Sequence, residues 1–596
     1  MAFYIGNNLS GVPHACSLNT NITKFAKFGN MSNLHVKKTD RIASGFDVAY
    51  LSAANKTHQW SIADDIASTP GSPRLHYPMD LNGQSTRTPD NISLEYDKKI
   101  EEIKNLLQSK REEEPIDRLM FVDAIQRLGV NHNFEEMIET ILRNYYESTS
   151  ANICGFHTLH DVSLFFCLMR QHGYDISSNV FNKFKGDDGR FRGELQRDTR
   201  GLMELYEASQ LRFEGEYTLD EAESFSSQNL NKYLADMDCS SRRLVTNKLQ
   251  HPYRKSIGRL TTRYDFRGKN QWGKTLQELA AMDLRMRKSE YQKELFQVSE
   301  WWKALRIAEN LSLARNQPLK WYTWSMAILI DDITLSEQRI ELTKFITFIY
   351  LLDDIFDVYG SPEELVILAE AVSKWDYAAV ETLPDYMKLC YKSLLDTTNE
   401  IGYKIYEKYG YNPIDSLKTT WASLCNAFLE EAKWFASGNL PNATKYLENG
   451  KVSSGVYVVM VHLFFLFGLG GTCGSAIHLN DTSKLMSSVA TILRLWDDLG
   501  SAKDEHQDGK DGSYIECYMK EHTSLSLEQA QQHAIDLISS EWKLLNKECF
   551  SLNHVSTSSL KKAALNTAKI VPLMYSYDEN QRLPILEEYV KFMLFD

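Results

Sequence analysis

The sequence predicts an all-α protein of two helical domains, on three observations. From about Ile92 onward apolar residues recur at spacings of three and four almost without interruption. Runs that alternate apolar and polar residues, as half-buried strands require, are scarce. Only 14 prolines punctuate 596 residues, a length beyond what one ordinary core supports.

Taken in chain order, residues 1–58 stand apart. They are rich in Ser, Thr and Asn, contain Lys and Arg, and have almost no acid before Asp40, the composition of a removable transit peptide or else of a disordered tail. An N-terminal helical domain is expected over 59–275. There "LEYDKKIEEIKNLLQSKREE" has helical periodicity, and "FVDAIQRLGVNHNFEEMIETILRNYY" reads as two helices joined at a Gly-Val-Asn turn, with Asn133 as N-cap of the second. The polar, basic stretch 249–274 interrupts the periodicity, and the domain boundary is placed just after it. A second domain, 276–596, resumes with "KFITFIYLLDD" and "SSVATILRLWDD". The longest apolar stretch, "VYVVMVHLFFLFGL" at 456–469, is too short to span a bilayer and is expected to be a buried helix. His462 within it has no ligand-type residue three or four positions away, so it reads as a core histidine.

Composition narrows the function. The net charge of −13, from 79 acidic and 66 basic residues without a long Lys/Arg run, argues against nucleic acid or an anionic membrane as partner. An acidic protein that handles an anionic substrate must recruit cations. The nine cysteines are scattered with no CxxC pair, as in a reducing compartment, which argues against a disulfide framework or a zinc site.

Five Asp-Asp pairs begin at 64, 187, 331, 353 and 497, and context separates them. The pair at 64 sits in a Ser/Thr/Pro-rich segment, that at 187 precedes Gly189 in a turn, and that at 331 lacks a third acid. Asp353 instead follows the apolar run "FITFIYLL" and has Asp357 at i+4 on the same helical face, where like charges repel. A hard divalent cation that prefers oxygen ligands would offset that repulsion; an acidic helix end facing water is the alternative. In "LRLWDDLGSAKDE", Asp497, Ser501 and Glu505 fall at i, i+4 and i+8 and offer a second oxygen-bearing face. Magnesium takes one or two carboxylates plus phosphate oxygens, so two such faces suggest Mg²⁺ ions clamping a diphosphate, with Arg494 adding a fixed positive charge.

On these residues the sequence resembles the plant terpene synthases. Asp353, Asp354 and Asp357 match the family's DDxxD motif, and Asp497, Asp498, Ser501 and Glu505 its (N/D)Dxx(S/T)xxxE motif. Further stretches fit over roughly 90–596, among them "WWKALRIAENLSLARN", "YGSPEEL" and "EAKW". The resemblance implies a non-catalytic, α-barrel-like N-terminal domain and a C-terminal class I terpenoid synthase α-bundle. It implies Asp353, Asp357, Asp497, Ser501 and Glu505 as ligands of three Mg²⁺ ions, for which Mn²⁺ can substitute, with Asp354 as a supporting carboxylate. Arg315 and Arg494 would bind diphosphate alongside Asp353, Asp357 and Asp497. Trp324 resembles the aromatic of the pocket wall, Ser453–Gly455 the helix break lining the cavity, and Tyr575 and Asp578 fall in the late loop that caps the site. For Trp324 and Tyr575, ordinary packing in a helical core is the competing reading.

The departures from the family are informative. A tandem-arginine motif, RRx8W, would use Trp60, but Tyr50 and Leu51 occupy the arginine positions. Gln317 and Asp508 replace residues usual in relatives, and with "LARNQPLKWYTW" they resemble the subgroup making acyclic alcohols, the linalool/nerolidol synthases. "DMDC" at 236–239 lacks the last aspartate of DxDD, so protonation-initiated cyclisation in the N-terminal domain is not expected. The expected activity is ionisation of geranyl or farnesyl diphosphate with water capture to linalool or nerolidol. The alternatives are acyclic or cyclic hydrocarbons, then an isoprenyl diphosphate synthase or a non-catalytic isoprenoid binder. The chain is expected to be a monomer with no membrane span, in the plastid or else the cytoplasm.

Overall fold

The computed structural model describes residues 89–109, 115–149, 156–258, 271–311, 314–471, 479, 482–501, 512–550, 558–578 and 582–595. Residues 1–58, Tyr50, Leu51 and Trp60 among the expectations above lie outside them, as do Glu505, Asp508 and the Ser501 side chain. The all-α expectation holds: the described residues form helices and contain no strand, only an isolated bridge between Lys185 and Phe191.

Two large apolar clusters form the cores. One gathers Phe121, Phe165, Phe166 and Phe181 from helices before residue 220, and the other gathers Trp321, Phe345, Trp421 and Phe464 from helices after 290. The 35-residue helix Gln271–Leu305 joins them. Its first turns put Trp272, Leu276 and Leu279 into the first core, and its later turns put Tyr291, Val298 and Trp302 into the second. It therefore runs across position 275, because an apolar stripe that long can serve both cores without a loop.

In the N-terminal region, the expected pair of helices is Pro115–Arg127 and Glu135–Thr149, with Gly129 in the left-handed region between them. Asn133 does not cap the second. A short 3₁₀ turn, Asn131–Asn133, intervenes, and the Asn133 amide donates to the Tyr96 hydroxyl at 2.8 Å. In the "DMDC" stretch Asp238 is an ordinary N-cap, accepting from the Ser240 and Ser241 N–H groups at 2.9 and 3.0 Å.

The first core docks onto the helix Leu527–Phe550. The Asn546 amide donates to the carbonyls of Gln210 (2.9 Å) and Arg212 (3.2 Å), and Lys543 pairs with Asp220 at 3.0 Å. That helix packs along Ser483–Ser501, which ends in the second acidic motif. Among the described residues one helical stretch, Ala443–Leu466, is long and apolar enough to cross a membrane, yet 72% of its most apolar part is buried, as in a core helix. The His462 ring within it packs tilted against Phe345, with ring centres 3.8 Å apart, and bonds through Nδ1 to the Val458 carbonyl at 2.6 Å, a core histidine held neutral by burial.

Candidate active site

The first acidic motif sits at the end of the helix Ser336–Asp354, whose start is fixed by a buried pair. Arg339 and Glu294 are both fully buried and meet at 2.7 Å, and Tyr322 donates to the same carboxylate at 2.7 Å. Arg339 also donates to the Asp332 and Ile333 carbonyls at 2.7 and 2.8 Å, so one guanidinium ties three helices together. At the other end the helix widens into a π turn, Ile355–Tyr359, closed by Gly360 N–H donating to the Ile355 carbonyl at 2.9 Å. Asp357 lies in that turn, a feature often found at functional sites.

Adjacent aspartates on a helix point about 100° apart, and each motif uses that difference. Asp353 keeps 34% of its side chain exposed, whereas Asp354 keeps 8%. Both Asp354 oxygens are taken by Arg315: Nε donates to Oδ1 at 2.6 Å and the backbone N–H to Oδ2 at 2.7 Å. The same guanidinium reaches Asp353 through Nη2 and lies over the Tyr350 ring at 4.7 Å. The second motif repeats the plan on Ser483–Ser501. Asp497 is 29% exposed and Asp498 2%. Arg494 donates through Nε to Asp498 at 3.0 Å and through Nη2 to Asp497. Asp498 also accepts the Tyr446 hydroxyl and the Tyr514 N–H, both at 3.0 Å. Burial raises Asp354 and Asp498 to about 6 each, against the pull of Arg315 and Arg494 respectively.

Two glycines make this arrangement possible. A Cβ on Gly450 would lie 2.8 Å from Cγ and Cδ of Arg494, so the absent side chain is the arginine's berth. Gly455, with φ of +74°, starts the helix Val456–Leu466, and a Cβ there would lie 2.8 Å from Cγ2 of Ile349, one turn before Asp353. The expected break after Ser453 is therefore seated on the first acidic helix.

Between the motifs stands Glu431, which sequence reading quoted within "EAKW" without giving it a role. Its Oε1 accepts from Ser453 Oγ at 2.7 Å and Asn449 Nδ2 at 3.0 Å, pinning the helix Ala443–Ser453. Burial chiefly, and Asp353 in part, raise its carboxyl against Arg494. Asp357 is exposed by surface area yet surrounded by protein on most sides, as at the floor of a recess. That confinement first, then Asp353 and Glu431, hold its carboxyl well above the ordinary range. It has no hydrogen bond or ion pair among the described residues. Glu431 escaped notice because its partners lie 18 and 22 residues away, beyond any helical spacing.

Trp324, Tyr350 and Tyr575 form an aromatic wall beside the acids. Trp324 Nε1 donates to the Tyr350 hydroxyl at 3.0 Å, and the Trp324 and Tyr575 rings lie 6.4 Å apart. Tyr575 is thereby brought to the site, its hydroxyl pushed well up by burial and by Asp497. Asp578 is instead turned into its own loop, pairing with Arg582 at 3.2 Å. Among the described residues no three carboxylates stand together at metal-ligand spacing.

Models of two families match the chain: "Terpene synthase, N-terminal domain" over residues 75–250 and "Terpene synthase family, metal binding domain" over 303–544. A chloroplastic tricyclene synthase of Antirrhinum majus is 61% identical over 548 residues, covering 91% of this chain and 95% of that protein. The chain belongs to the plant terpene synthase family. It is a class I terpene synthase with both of the family's helical domains. An (E)-nerolidol synthase of Cannabis sativa is 46% identical over 81% of this chain and 90% of its own length. Among solved structures, isoprene synthase from grey poplar in complex with three Mg²⁺ ions and dimethylallyl-S-thiolodiphosphate aligns with a TM-score of 0.77 at 30% identity, covering 85% of this chain and 98% of that one. Limonene synthase with 2-fluorolinalyl diphosphate aligns with a TM-score of 0.79 at 28% identity, covering 85% and 95%.

Proposed function

We propose that this terpene synthase is a plastidial, Mg²⁺-dependent monoterpene synthase that ionises geranyl diphosphate. The observation that carries the reading is the approach of the two acid–arginine pairs, close enough that Asp353 and Arg315 act on the Asp497 carboxyl alongside its own Arg494. The donor set fits a hard cation: oxygen ligands only, mutually repelling, with Asp357 unpartnered among the described residues. Asp353, Asp357 and Asp497, with Ser501 and Glu505, would hold the ions, which supply Lewis-acid neutralisation of the leaving diphosphate.

The chain's own residues do the remainder. Arg315 and Arg494, kept charged by their buried aspartates, exchange an exposed carboxylate for diphosphate oxygens. Stabilised there, the carbon–oxygen bond breaks and its electron pair leaves with the diphosphate. The ring faces of Trp324, Tyr350 and Tyr575 shield the allylic cation from water and attract it by up to about 2 kcal/mol each.

The cation then loses a proton, with or without ring closure, or bonds to the oxygen of one water, which releases a proton to leave the alcohol. Proton loss is the outcome supported by three relatives named tricyclene synthases, at 58–61% identity. Water capture to linalool is the second reading, supported by the nerolidol synthase and by Gln317 and Asp508. The plastid assignment draws on the same three relatives, each named chloroplastic, and on the composition of residues 1–58.

Incubation of purified protein and Mg²⁺ with geranyl or farnesyl diphosphate, followed by chiral gas chromatography, tests both levels. Monoterpene release that stops on chelation is expected. Turnover without divalent metal, or a higher kcat/KM for farnesyl diphosphate, would overturn the proposal.

A further inference from the structure

One cation beside the recess has no part in the scheme above. Lys320 lies in the first turn of the helix Pro318–Ile328, within the stretch "LARNQPLKWYTW", and is 8% exposed. It is one helical turn before Trp324, so it shares that residue's face toward the aromatic wall. Its Nζ lies 5.9 Å from the centre of the Tyr577 ring. Tyr577 in turn abuts Gly500, three residues beyond Asp497, with Cδ2 3.5 Å from where a Cβ would stand. Lys320 is thus placed between the two acid–arginine pairs, close enough to feel both Arg315 and Asp497.

No carboxylate among the described residues satisfies this ammonium. Among the described residues it makes no hydrogen bond and no ion pair, and the Tyr577 ring is its one partner. Arg315 and Arg494, by contrast, each hold two aspartates. A buried ammonium without an anion is a standing destabilisation, and a lysine ordinarily escapes it by extending to solvent. Burial first, and then Arg315, lower its pKa to about 8, which still leaves it charged at neutral pH.

We propose that Lys320 is a third fixed cation for the diphosphate group, donating from Nζ to a diphosphate oxygen between the two acid–arginine pairs. An anion with several charged oxygens can meet both arginines and this ammonium at once, which a single carboxylate cannot. The Tyr577 ring holds the ammonium in place until the anion arrives.

The proposal rests on reading the two acidic motifs as a diphosphate clamp, so the test must separate the two. Inorganic pyrophosphate with Mg²⁺ is titrated calorimetrically into the full chain as wild type, Lys320→Met and Lys320→Arg. Loss of one charge-assisted hydrogen bond is expected to weaken pyrophosphate binding about tenfold or more in Lys320→Met, with Lys320→Arg within about threefold of wild type. The melting temperature of Lys320→Met is expected to equal or exceed that of wild type, since a buried unpaired charge is gone.

Pyrophosphate binding unchanged in Lys320→Met would overturn the proposal. So would tighter binding of Mg²⁺ alone with pyrophosphate unchanged, which would mark Lys320 as a counter-ion of Asp497. A lowered melting temperature that Lys320→Arg does not restore would assign it a packing role instead. If the wild type itself takes no pyrophosphate, it is the clamp reading that fails.

Discussion

Each Asp-Asp pair divides its work by burial. The second aspartate, Asp354 or Asp498, faces inward and fixes an arginine, while the first, Asp353 or Asp497, stays partly open beside it. The arginine is then aimed from inside the protein, and the outer carboxylate is left free to change partners. Asp357 shows what the site costs, since burial first, and then Asp353 and Glu431, work against its ionisation. Asp357→Asn should therefore raise the melting temperature near neutral pH, because it removes a carboxyl that is costly to ionise in the folded protein. Turnover should fall on the order of 100-fold or more, as when one anchoring group for developing charge is removed. Thermal unfolding and steady-state kinetics on one preparation check both, and an active Asp357→Asn enzyme would contradict its place in the metal set.

At the scale of elements, the site depends on how closely helices approach. Ala443–Ser453 touches the second acidic helix through Gly450, and the break at Gly455 touches the first through Ile349. Alanine in a helix is ordinarily worth about 1 kcal/mol over glycine. At Gly450 that gain competes with an overlap against an arginine already tied to Asp497 and Asp498, and overpacking costs about 1–3 kcal/mol. Gly450→Ala should therefore be neutral to destabilising, and it should raise KM by displacing Arg494 more than it lowers kcat. A melting curve and a substrate titration decide, and a stabilised variant with unchanged KM would show that Arg494 moves freely.

At the scale of the molecule, the described part of the N-terminal domain docks on Leu527–Phe550, the helix that packs along the second acidic helix. Its own integrity rests on a buried ionic cluster. Arg127 meets Asp123 at 2.7 Å and Glu204 at 3.2 Å, Lys248 meets Glu204 at 3.0 Å, and Arg254 meets Asp123 at 3.0 Å. Burial alone would raise the Glu204 carboxyl, but Lys248, Arg127 and Arg254 outweigh it and hold it far below 4.5. A depressed folded-state pKa contributes stability that is whole above the unfolded value and is lost as pH falls below it. Glu204→Gln should thus cost about 3–5 kcal/mol near neutral pH, having left three cations short of a partner. Its deficit should shrink as both proteins are taken below about pH 4.5. Urea unfolding at pH 7 and pH 4 checks the sign, and a deficit that widens on acidification would refute it.

Helical periodicity and the two spaced motifs were enough to determine the all-α class, the family and the acidic positions, because each is a local property of the chain. Spacing of 3.6 is written in every turn, and DDxxD is five residues long. Asn133 shows the limit of local reading: a one-turn 3₁₀ segment sent its amide to Tyr96 instead of to a helix end. Tertiary structure alone decided which aspartate of each pair is buried beside its arginine, that Glu431 stands between the motifs, that Tyr575 reaches the wall while Asp578 does not, and that Lys320 has no anion among the described residues. The physical reason is that charge and burial depend on neighbours from other helices. Asp354 and Arg315 are 39 residues apart, and Asp498 and Tyr446 are 52 apart. No periodicity in one segment encodes what another segment will bring to it.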